Sequence, residues 1–403
     1  MRLLLGLLIL LLPLAAAPAR ALPATPPPVI LVSIDGVRPD YLDRGVTPHL
    51  TALRAQGASG ALLPAFPAKT FPNHYAIATG KAPDRNGITG NSMIDPARPG
   101  QMFSLADPRQ ALDPFWWREA EPIWITAERA GLRTATMFWP GSEVAHGALR
   151  PTDWMRYDQN ISNAQRVRTV LDWLRRPPSS RPHFITLYFD SVDTAGHRFG
   201  PDSPEVNAAL AEVDGQIGVL RAGITEYGIT ANLVILSDHG MARTQEANTV
   251  QLGELIDPAA MIAVEVGPYA AIEPVAGTDD RVFAALIGKH AHVECRRAAD
   301  WTKALDFGRH PRAAAIYCLA DPGWQVIAGP SPYPLTGGAH GWPVAAMPEM
   351  QALFVAHGPN IRPGRVAPVA NVEVYPLVAR LLGMAPLPGD AKGTLADQVA
   401  KKD

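Results

Sequence analysis

The chain has 403 residues, of which 47% are hydrophobic and 18% are charged, and its formal net charge is −2. This length and hydrophobic content are sufficient for one large core or two unequal ones. The nearly balanced charge excludes the strongly basic surface that wraps nucleic acid or binds anionic membranes, so we expect no stable nucleic-acid complex. A small anionic substrate would have to be attracted locally.

The N-terminal segment, residues 1–21, is typical of a secretory signal peptide. Arg2 supplies a positive charge, residues 3–14 form an apolar core, and Ala19-Arg20-Ala21 fits an A-x-A cleavage site. This apolar run is shorter than the roughly 20 residues that a membrane-spanning helix needs. We therefore predict an exported chain, periplasmic or secreted, whose mature part does not span a membrane.

Strands and helices alternate along most of the remaining chain, which predicts an α/β fold with a mostly parallel central sheet flanked by helices. Continuous apolar runs are typical of strands buried on both faces of such a sheet. The predicted strands cover residues 29–34, 132–139, 183–189, 232–237 and 351–356. The predicted helices cover residues 49–56, 162–175, 204–220 and 372–382.

The alternation weakens between residues 256 and 334, where turns separate short strands and one helical run, residues 280–289. This pattern predicts a small inserted lobe. Residues 22–255 and 335–390 then form the catalytic domain, and residues 391–403 form a C-terminal tail that we expect to be a surface loop.

Both cysteines of the chain, Cys295 and Cys318, fall in the predicted lobe. In an oxidising compartment they could form one disulfide, and the alternative is two unpaired buried thiols.

The segment from Ala65 to Gly80 predicts a loop that runs into a short helix. Thr70 suits the N-cap position, Pro72 the first turn and Gly80 the end of the helix. A hydroxyl at that position lies beside free backbone N–H groups and the positive end of the helix dipole, which together attract an oxyanion. A threonine hydroxyl becomes a nucleophile when a base or a metal removes its proton; otherwise Thr70 only caps the helix.

Acidic residues end three of the predicted strands, and imidazoles follow two of them. Ligands of an open α/β sheet bind outside the carboxyl ends of its strands. Carboxylates and imidazoles suit Zn²⁺, and two such ions about 4 Å apart can clamp a phosphoryl group. An isolated Asp at a strand end is usually a turn former or a cap, so the prediction of a metal site depends on the combination. The predicted ligands are Asp35, Asp193 and His197 on a tight loop, Asp238, His239, and His340 in a glycine-rich loop.

Six short motifs occur in order along the chain: Asp35, Lys69-Thr70-Phe71-Pro72-Asn73-His74-Tyr75, Gly90-Asn91, Asp193 with Gly196-His197, Asp238-His239-Gly240-Met241 and His340-Gly341. With these motifs the chain resembles, from about residue 28 to residue 383, the nucleotide pyrophosphatase/phosphodiesterase family, the type I phosphodiesterase branch of the alkaline phosphatase superfamily. The resemblance implies an alkaline phosphatase-like sandwich and a phosphoric diester hydrolase, in the minimal catalytic form that bacteria export.

The resemblance also implies a role for each matching residue. Thr70 is the nucleophile of a two-zinc site, and Asn91 binds a phosphate oxygen. Phe71 and Tyr188 are candidates for an aromatic slot that stacks a base. One zinc would be held by Asp35, Asp238, His239 and the Thr70 oxygen, and the second by Asp193, His197 and His340. His74 and Lys69 are expected to have structural roles.

The implied reaction is hydrolysis of nucleoside 5′-phosphodiester and pyrophosphate bonds through a covalent Thr70 intermediate, with release of 5′-nucleotides. Gly341-Trp342-Pro343 follows the last histidine where many relatives have Gly-Tyr-Asp-Asn, which leaves the shape of that loop open. One alternative is a lipid or choline head-group phosphodiesterase with the same metals. A sulfatase would need a modifiable Cys or Ser in a C/S-x-P-x-R motif, whereas here Thr70 is followed by Phe71-Pro72-Asn73. A non-catalytic binding protein on the same scaffold would lack one of the metal ligands, and none of the predicted ligands is missing from the sequence.

Overall fold

The computed structural model describes residues 26–330 and 334–401, so the predicted signal peptide lies outside the described residues. The strands are β1 (Val29–Ile34), β2 (Ala58–Leu63), β3 (Ser92–Ile94), β4 (Met102–Ser104), β5 (Thr134–Met137), β6 (Asp153–Trp154), β7 (Phe184–Phe189), β8 (Asn232–Leu236), β9 (Ala242–Thr244), β10 (Thr249–Gln251), β11 (Met261–Glu265), β12 (Tyr269–Pro274), β13 (Gly288–His290), β14 (Val293–Arg297), β15 (Ile316–Ala320), β16 (Gln325–Ile327), β17 (Gly337–Ala339), β18 (Ala352–His357), β19 (Gly364–Arg365) and β20 (Val369–Ala370).

Along the chain, most of the α-helices lie between strands of the central sheet. They are α1 (Pro48–Gln56), α2 (Thr70–Thr79), α3 (Pro83–Asn86), α4 (Pro108–Ala111), α5 (Pro114–Trp117), α6 (Ile123–Arg129), α7 (Asn163–Leu174), α8 (Ser191–Phe199), α9 (Pro204–Glu226), α10 (Asp279–Leu286), α11 (Thr302–Leu305), α12 (Val374–Leu381) and α13 (Thr394–Val399). Within the described ranges, none of these helices is both long and apolar enough to cross a bilayer.

The central sheet has the strand order β19–β2–β18–β8–β1–β7–β5–β6, and β20 also pairs with β2. The strands from β8 to β6 are parallel to one another. β18 runs antiparallel to both of its neighbours. The predicted α/β architecture with a mostly parallel central sheet is therefore confirmed.

Both faces of this sheet are buried, which explains the continuous apolar run of β1. Val29 and Leu31 pack into the core that contains α12. Ile30 and Val32 pack into the opposite core, which contains α1, α7 and α9. Full burial of each such side chain stabilises the fold by about 1.5–3 kcal/mol.

The register of the parallel strands brings their carboxyl ends to one edge of the sheet. Ile34 of β1 lies beside Phe189 of β7, and Ser33 lies beside Leu236 of β8. The acidic residues that follow these three strands consequently meet at the same edge.

A second, antiparallel sheet has the order β11–β12–β15–β14–β13 and lies within the range predicted for the inserted lobe. Cys295 of β14 and Cys318 of β15 face each other across this sheet. They form a disulfide, which confirms the interpretation that the sequence favoured over free thiols. Both residues are fully buried in the lobe core.

Three local predictions are wrong. Asp193 and His197 lie on a helix, α8, and not on a tight loop. The tail is not only surface loop, because α13 buries Leu395 and Val399 completely. The helix predicted to end at residue 289 ends at Leu286, where β13 begins two residues later. Each of these segments is short, so tertiary packing determines its conformation more than local periodicity does.

Candidate active site

The ends of β1 and β8 supply two buried carboxylates. Asp35 is 1% exposed and Asp238 is fully buried. Gly36, which follows Asp35, has a φ of 72°, and a Cβ at this position would lie 3.1 Å from atoms of Asp193. A glycine is therefore needed to let the end of β1 approach α8 closely.

Helix α8 supplies a carboxylate and an imidazole from the same face. Asp193 and His197 are four residues apart, and Asp193 Oδ2 lies 3.4 Å from His197 Nε2. Residues at this spacing are neighbours on a helix surface. The helix therefore brings the two predicted ligands together as the sequence spacing required, although the predicted loop was wrong.

The three predicted imidazole ligands share one hydrogen-bonding pattern, in which each Nδ1 faces a backbone carbonyl oxygen. His197 Nδ1 lies 2.9 Å from the oxygen of Gly338. The corresponding distance is 3.0 Å for His239 and Gly240, and 2.8 Å for His340 and Ala68. Because a carbonyl can only accept, each Nδ1 donates, and each Nε2 is left with a lone pair. Such backbone bonds orient histidines that bind metals.

These lone pairs face other acceptors. His340 Nε2 lies 3.1 Å from His197 Nε2. His239 Nε2 lies 3.0 Å from Asp238 Oδ2 and 3.4 Å from Asp35 Oδ1. Acceptors repel one another at such distances unless a cation or a proton lies between them.

Three buried carboxylate oxygens of the cluster have no hydrogen-bond donor among the residues that the structure describes. They are Asp35 Oδ1, Asp193 Oδ1 and Asp238 Oδ2. A buried carboxylate oxygen without a partner is costly, and metal coordination is one of the few ways to satisfy it. The donor set of carboxylates and imidazoles therefore fits bound divalent cations such as Zn²⁺.

Burial and mutual interaction shift the pKa values of the clustered carboxylates and imidazoles. Burial, followed by the charges of Asp238 and Asp193, raises the pKa of Asp35 well above its usual value. Burial, followed by the neighbouring His239 and His197, holds the pKa of His340 well below its usual value. The carboxylates repel one another and the imidazole remains neutral, which is the state that binds a metal.

Potential ligand atoms cluster in two groups, each with its members within 4.8 Å of one another. One comprises Asp193, His239 and His340, and the other comprises Asp35, His74 and Asp238. The division of ligands between two ions that the resemblance implies stays a prediction.

His74 was assigned a structural role, and its hydrogen bonds support that assignment. Its Nε2 lies 2.8 Å from the Ser33 hydroxyl, and its Nδ1 lies 2.9 Å from the Thr70 carbonyl oxygen. Both ring nitrogens are thus engaged, so neither offers a free lone pair. The ring therefore connects the Ser33 hydroxyl to the start of α2, and its Nδ1 lies 3.2 Å from Asp238 Oδ2.

Thr70 is the first residue of α2, and Lys69 occupies the N-cap position that the sequence assigned to Thr70. The Thr70 hydroxyl makes no capping bond, and its Oγ1 lies 3.3 Å from His239 Nε2. The hydroxyl therefore points into the carboxylate and imidazole cluster and not back at its own helix. This is the position that a nucleophile of the site would occupy.

The shape of the loop before Thr70 depends on Asn73, whose role the sequence did not reveal. Its Nδ2 donates to the carbonyl oxygens of Pro67 and Lys69, both at 2.9 Å. Its Oδ1 accepts the N–H of Ala65 at 2.9 Å. The side-chain amide thereby replaces the backbone partners that this loop lacks.

Asn91 is fixed by the first turn of α2. Its Oδ1 accepts the backbone N–H of Phe71 at 2.9 Å, so its NH₂ group remains available as a donor. The same bond uses one N–H of the helix N-terminus, and Pro72 has none. The helix therefore offers fewer free N–H groups to an oxyanion than the sequence suggested.

The two predicted slot aromatics differ in their surroundings. Tyr188 is 9% exposed, and its hydroxyl donates to Asp35 Oδ2 at 2.6 Å. Phe71 is half-buried, and its ring centroid lies 6.0 Å from that of Phe103. Tyr157, which the sequence analysis did not select, is 44% exposed, and its ring centroid lies 6.1 Å from that of Tyr188.

Asp190 directly follows β7 but lies outside the cluster of carboxylates and imidazoles. Its Oδ1 accepts from Arg166 Nη1 at 2.7 Å, and its Oδ2 accepts from the Tyr157 hydroxyl at 3.1 Å. Of the acidic residues after β7, Asp193 is thus the one that reaches the imidazoles.

Comparison with known proteins identifies the family. The family described as type I phosphodiesterase / nucleotide pyrophosphatase matches residues 29–343. The chain belongs to this family. The chain is 35% identical to human ectonucleotide pyrophosphatase/phosphodiesterase family member 1 over 379 residues, covering 90% of this chain and 41% of the human protein. It therefore spans less than half the length of that relative.

Two further similarities extend over most of both proteins. An uncharacterized pyrophosphatase/phosphodiesterase of Schizosaccharomyces pombe is 34% identical, with 90% of this chain and 78% of the yeast protein covered. The structure of murine ectonucleotide pyrophosphatase/phosphodiesterase 5, an inactive threonine-to-alanine variant in complex with AMP, matches with a TM-score of 0.87 and 30% identity. The match covers 93% of this chain and 100% of the murine chain, which confirms the predicted fold.

Proposed function

We propose that this phosphodiesterase hydrolyses nucleoside 5′-phosphodiester and pyrophosphate bonds and releases 5′-nucleotides. The observation that carries the proposal is the Thr70 hydroxyl, which lies 3.3 Å from His239 Nε2 in a buried cluster of unpaired carboxylate and imidazole acceptors. The relatives named above as pyrophosphatases and phosphodiesterases support it, as does the AMP complex of the murine variant.

We propose two zinc ions as the cofactors of this site. Bound zinc would lower the pKa of a coordinated hydroxyl or water and would neutralise charge on phosphoryl oxygens. The residues that would hold one ion are Asp35, Thr70, Asp238 and His239, and those that would hold the other are Asp193, His197 and His340.

Thr70 performs the first chemical step. Its Oγ1 forms a bond to phosphorus while the bond to the leaving alcohol or phosphate breaks, and the hydroxyl proton passes through solvent to the leaving oxygen. A nucleotidyl ester of Thr70 results. In the second step a water oxygen forms a bond to phosphorus, the Thr70 ester bond breaks, one water proton returns to Thr70 Oγ1, and the 5′-nucleotide leaves.

Asn91 and two aromatic side chains would bind the substrate around the reacting phosphorus. The free NH₂ group of Asn91 can donate to a non-bridging phosphate oxygen, as in an oxyanion hole. Phe71 follows the nucleophile directly and could contact the nucleoside. Because Tyr188 is largely buried and bound to Asp35, we propose Tyr157 for the stacking role that the sequence suggested for Tyr188.

The hydrogen bond from Tyr188 to Asp35 leads to a prediction about metal affinity. Tyr188→Phe removes the donor that orients Asp35, and we expect zinc affinity or kcat/KM to fall by about 10–100-fold. Zinc affinity is measured by competition with a chelator. Tyr75→Phe is the matched control, because its buried hydroxyl donates to the carbonyls of Trp117 and Ala120 away from the site. Equal losses in both variants would contradict a specific role for Tyr188.

The cations near the site lead to a prediction about substrate preference. A phosphomonoester carries one more negative charge than a diester and needs additional cationic partners. Arg198, next to His197, is exposed and packs over the Phe199 ring, so it does not supply one. We therefore expect kcat/KM to be at least ~10-fold higher for an aryl ester of thymidine 5′-monophosphate than for the aryl phosphate, because base stacking adds about 1–3 kcal/mol.

The assay uses both substrates together with an aryl phosphocholine ester, which represents the lipid-directed alternative. Tyr157→Ala and Phe71→Ala should reduce the preference for the nucleotide diester. Trp154→Ala, which removes an exposed aromatic ring three residues from Tyr157, is the control. A higher kcat/KM for the monoester, or for the phosphocholine ester, would contradict the proposed substrate class.

We also propose that the enzyme acts outside the cytoplasm. The Cys295–Cys318 disulfide supports this location, because disulfides persist mainly in oxidising compartments.

A further inference from the structure

A carboxylate from the antiparallel sheet reaches the loop that carries the proposed nucleophile. Glu265, the last residue of β11, has a side chain that is only 9% exposed, and its Oε1 lies 3.8 Å from Lys69 Nζ. Its Oε2 accepts the Tyr269 hydroxyl at 2.6 Å. Glu265 thus contacts the residue that directly precedes Thr70.

The same carboxylate also packs against the segment that carries Asn91. A Cβ added at Gly90 would lie 2.5 Å from the Ser92 carbonyl oxygen and 2.6 Å from Glu265 Oε2, so glycine lets both the backbone and the carboxylate approach closely. Burial raises the pKa of Glu265, while the charge of Lys69, the Tyr269 hydroxyl and the N–H groups of Ser92 and Asn91 counteract part of that effect. The carboxylate therefore lies between the two segments that supply the proposed nucleophile and its oxyanion partner.

Lys69 is directed toward this carboxylate along the glycine-rich loop. Its Cε lies 3.1 Å from the position of a Cβ at Gly341, and its Nζ lies 5.7 Å from the centroid of the Tyr269 ring. The Lys69 side chain is 11% exposed. Because Gly341 directly follows His340 and Lys69 directly precedes Thr70, the ammonium lies beside the proposed site.

We propose that Glu265 is a positioning residue that holds the Lys69 ammonium away from the phosphoryl group and keeps the Asn91 segment in place. The inference rests on the proposed function, and it adds a determinant of the choice between diesters and monoesters. An ammonium released in a poorly solvated site is attracted to the nearest anion, and a monoester offers more negative charge than a diester. By keeping the Lys69 ammonium in an ion pair, Glu265 therefore favours diesters over monoesters.

The test compares kcat and KM for the nucleotide aryl diester and the aryl phosphate. Glu265→Gln keeps the shape but removes the charge, and we expect the diester-to-monoester ratio of kcat/KM to fall at least ~10-fold. The double variant Lys69→Met/Glu265→Gln should restore the ratio, because the released ammonium is then absent. Glu273→Gln is the matched control, since Glu273 of the same sheet caps the Ala315 N–H and touches neither segment.

A folded Glu265→Gln variant with an unchanged ratio would overturn the proposal, and so would a double variant that fails to restore it. If Glu265→Gln does not fold, the Lys69→Met variant tests the proposal instead. The proposal then expects a ratio within threefold of wild type, because Lys69 does not contact the substrate, whereas a selective loss of diester hydrolysis would contradict it. Wild-type protein without diester hydrolysis would instead refute the proposed function.

Discussion

Thr70→Ala is expected to lower kcat for the nucleotide diester by at least ~10³-fold, because it removes the oxygen that forms the covalent intermediate. Thr70→Ser should retain part of the activity, since a hydroxyl remains at the start of α2. The free energy of unfolding should change little, because the Thr70 hydroxyl makes no capping bond whose loss would cost stability. Loss of activity without loss of stability would show that the Thr70 hydroxyl takes part in the reaction and does not stabilise the fold.

Thr79→Ala is the control for the general effect of removing a threonine hydroxyl from α2. Thr79 lies at the other end of the helix, and its hydroxyl donates to the Tyr75 carbonyl oxygen at 2.7 Å. This variant should lose stability and keep its kcat. Mass spectrometry of protein quenched with acid during turnover should detect the nucleotidyl group on wild type but not on Thr70→Ala. More than a tenth of wild-type kcat in Thr70→Ala would require another nucleophile.

Exhaustive chelation is expected to abolish turnover, and added zinc should restore it more effectively than magnesium. Imidazole ligands favour zinc, whereas magnesium prefers sites built from oxygen atoms alone. Metal removal should also lower the melting temperature, because a ligand that binds only the folded protein stabilises it. Elemental analysis of the restored enzyme should find two zinc ions per chain. Full activity in protein shown to contain no metal would refute the proposed site.

A pair of isosteric variants separates metal ligation from the general effect of losing a carboxylate at a strand end. Asp238→Asn should lose zinc and activity together, since the buried Asp238 Oδ2 has no hydrogen-bond donor. Asp190→Asn should keep its zinc, because Asp190 pairs with Arg166 and Tyr157. Equal zinc contents in the two variants would contradict the assignment of Asp238 as a ligand.

The sequence was sufficient to predict which of the proposed ligand side chains lie close together, because their position at one edge of the sheet follows from the direction of the strands. β1, β7 and β8 read as apolar runs, and parallel pairing then brings Asp35 and Asp238 to one edge. The four-residue spacing of Asp193 and His197 brings the two together on a helix. Gly196 suggested a loop, but in α8 it allows close contact, since a Cβ there would lie 3.0 Å from Met241 Cε.

Features that depend on tertiary burial could not be predicted from the sequence. Tyr188 and Tyr157 are both aromatic residues near acidic ones in the chain, and only the folded structure shows that one is buried against Asp35 and the other is exposed. Glu265 is almost 200 residues from Lys69 in the sequence, and no local pattern connects them. The contact between them arises because the antiparallel sheet packs against the loop before α2.

The backbone bonds of the three imidazoles have a consequence for how this protein can change. Carbonyl oxygens of Gly338, Gly240 and Ala68 hold the ring nitrogens, and a point mutation cannot delete a carbonyl. The three predicted ligands are therefore insulated from substitutions in the side chains around them. Neighbouring residues such as Tyr157 and Glu265 can diverge and redirect the choice of substrate, while the orientation of these three imidazoles is kept.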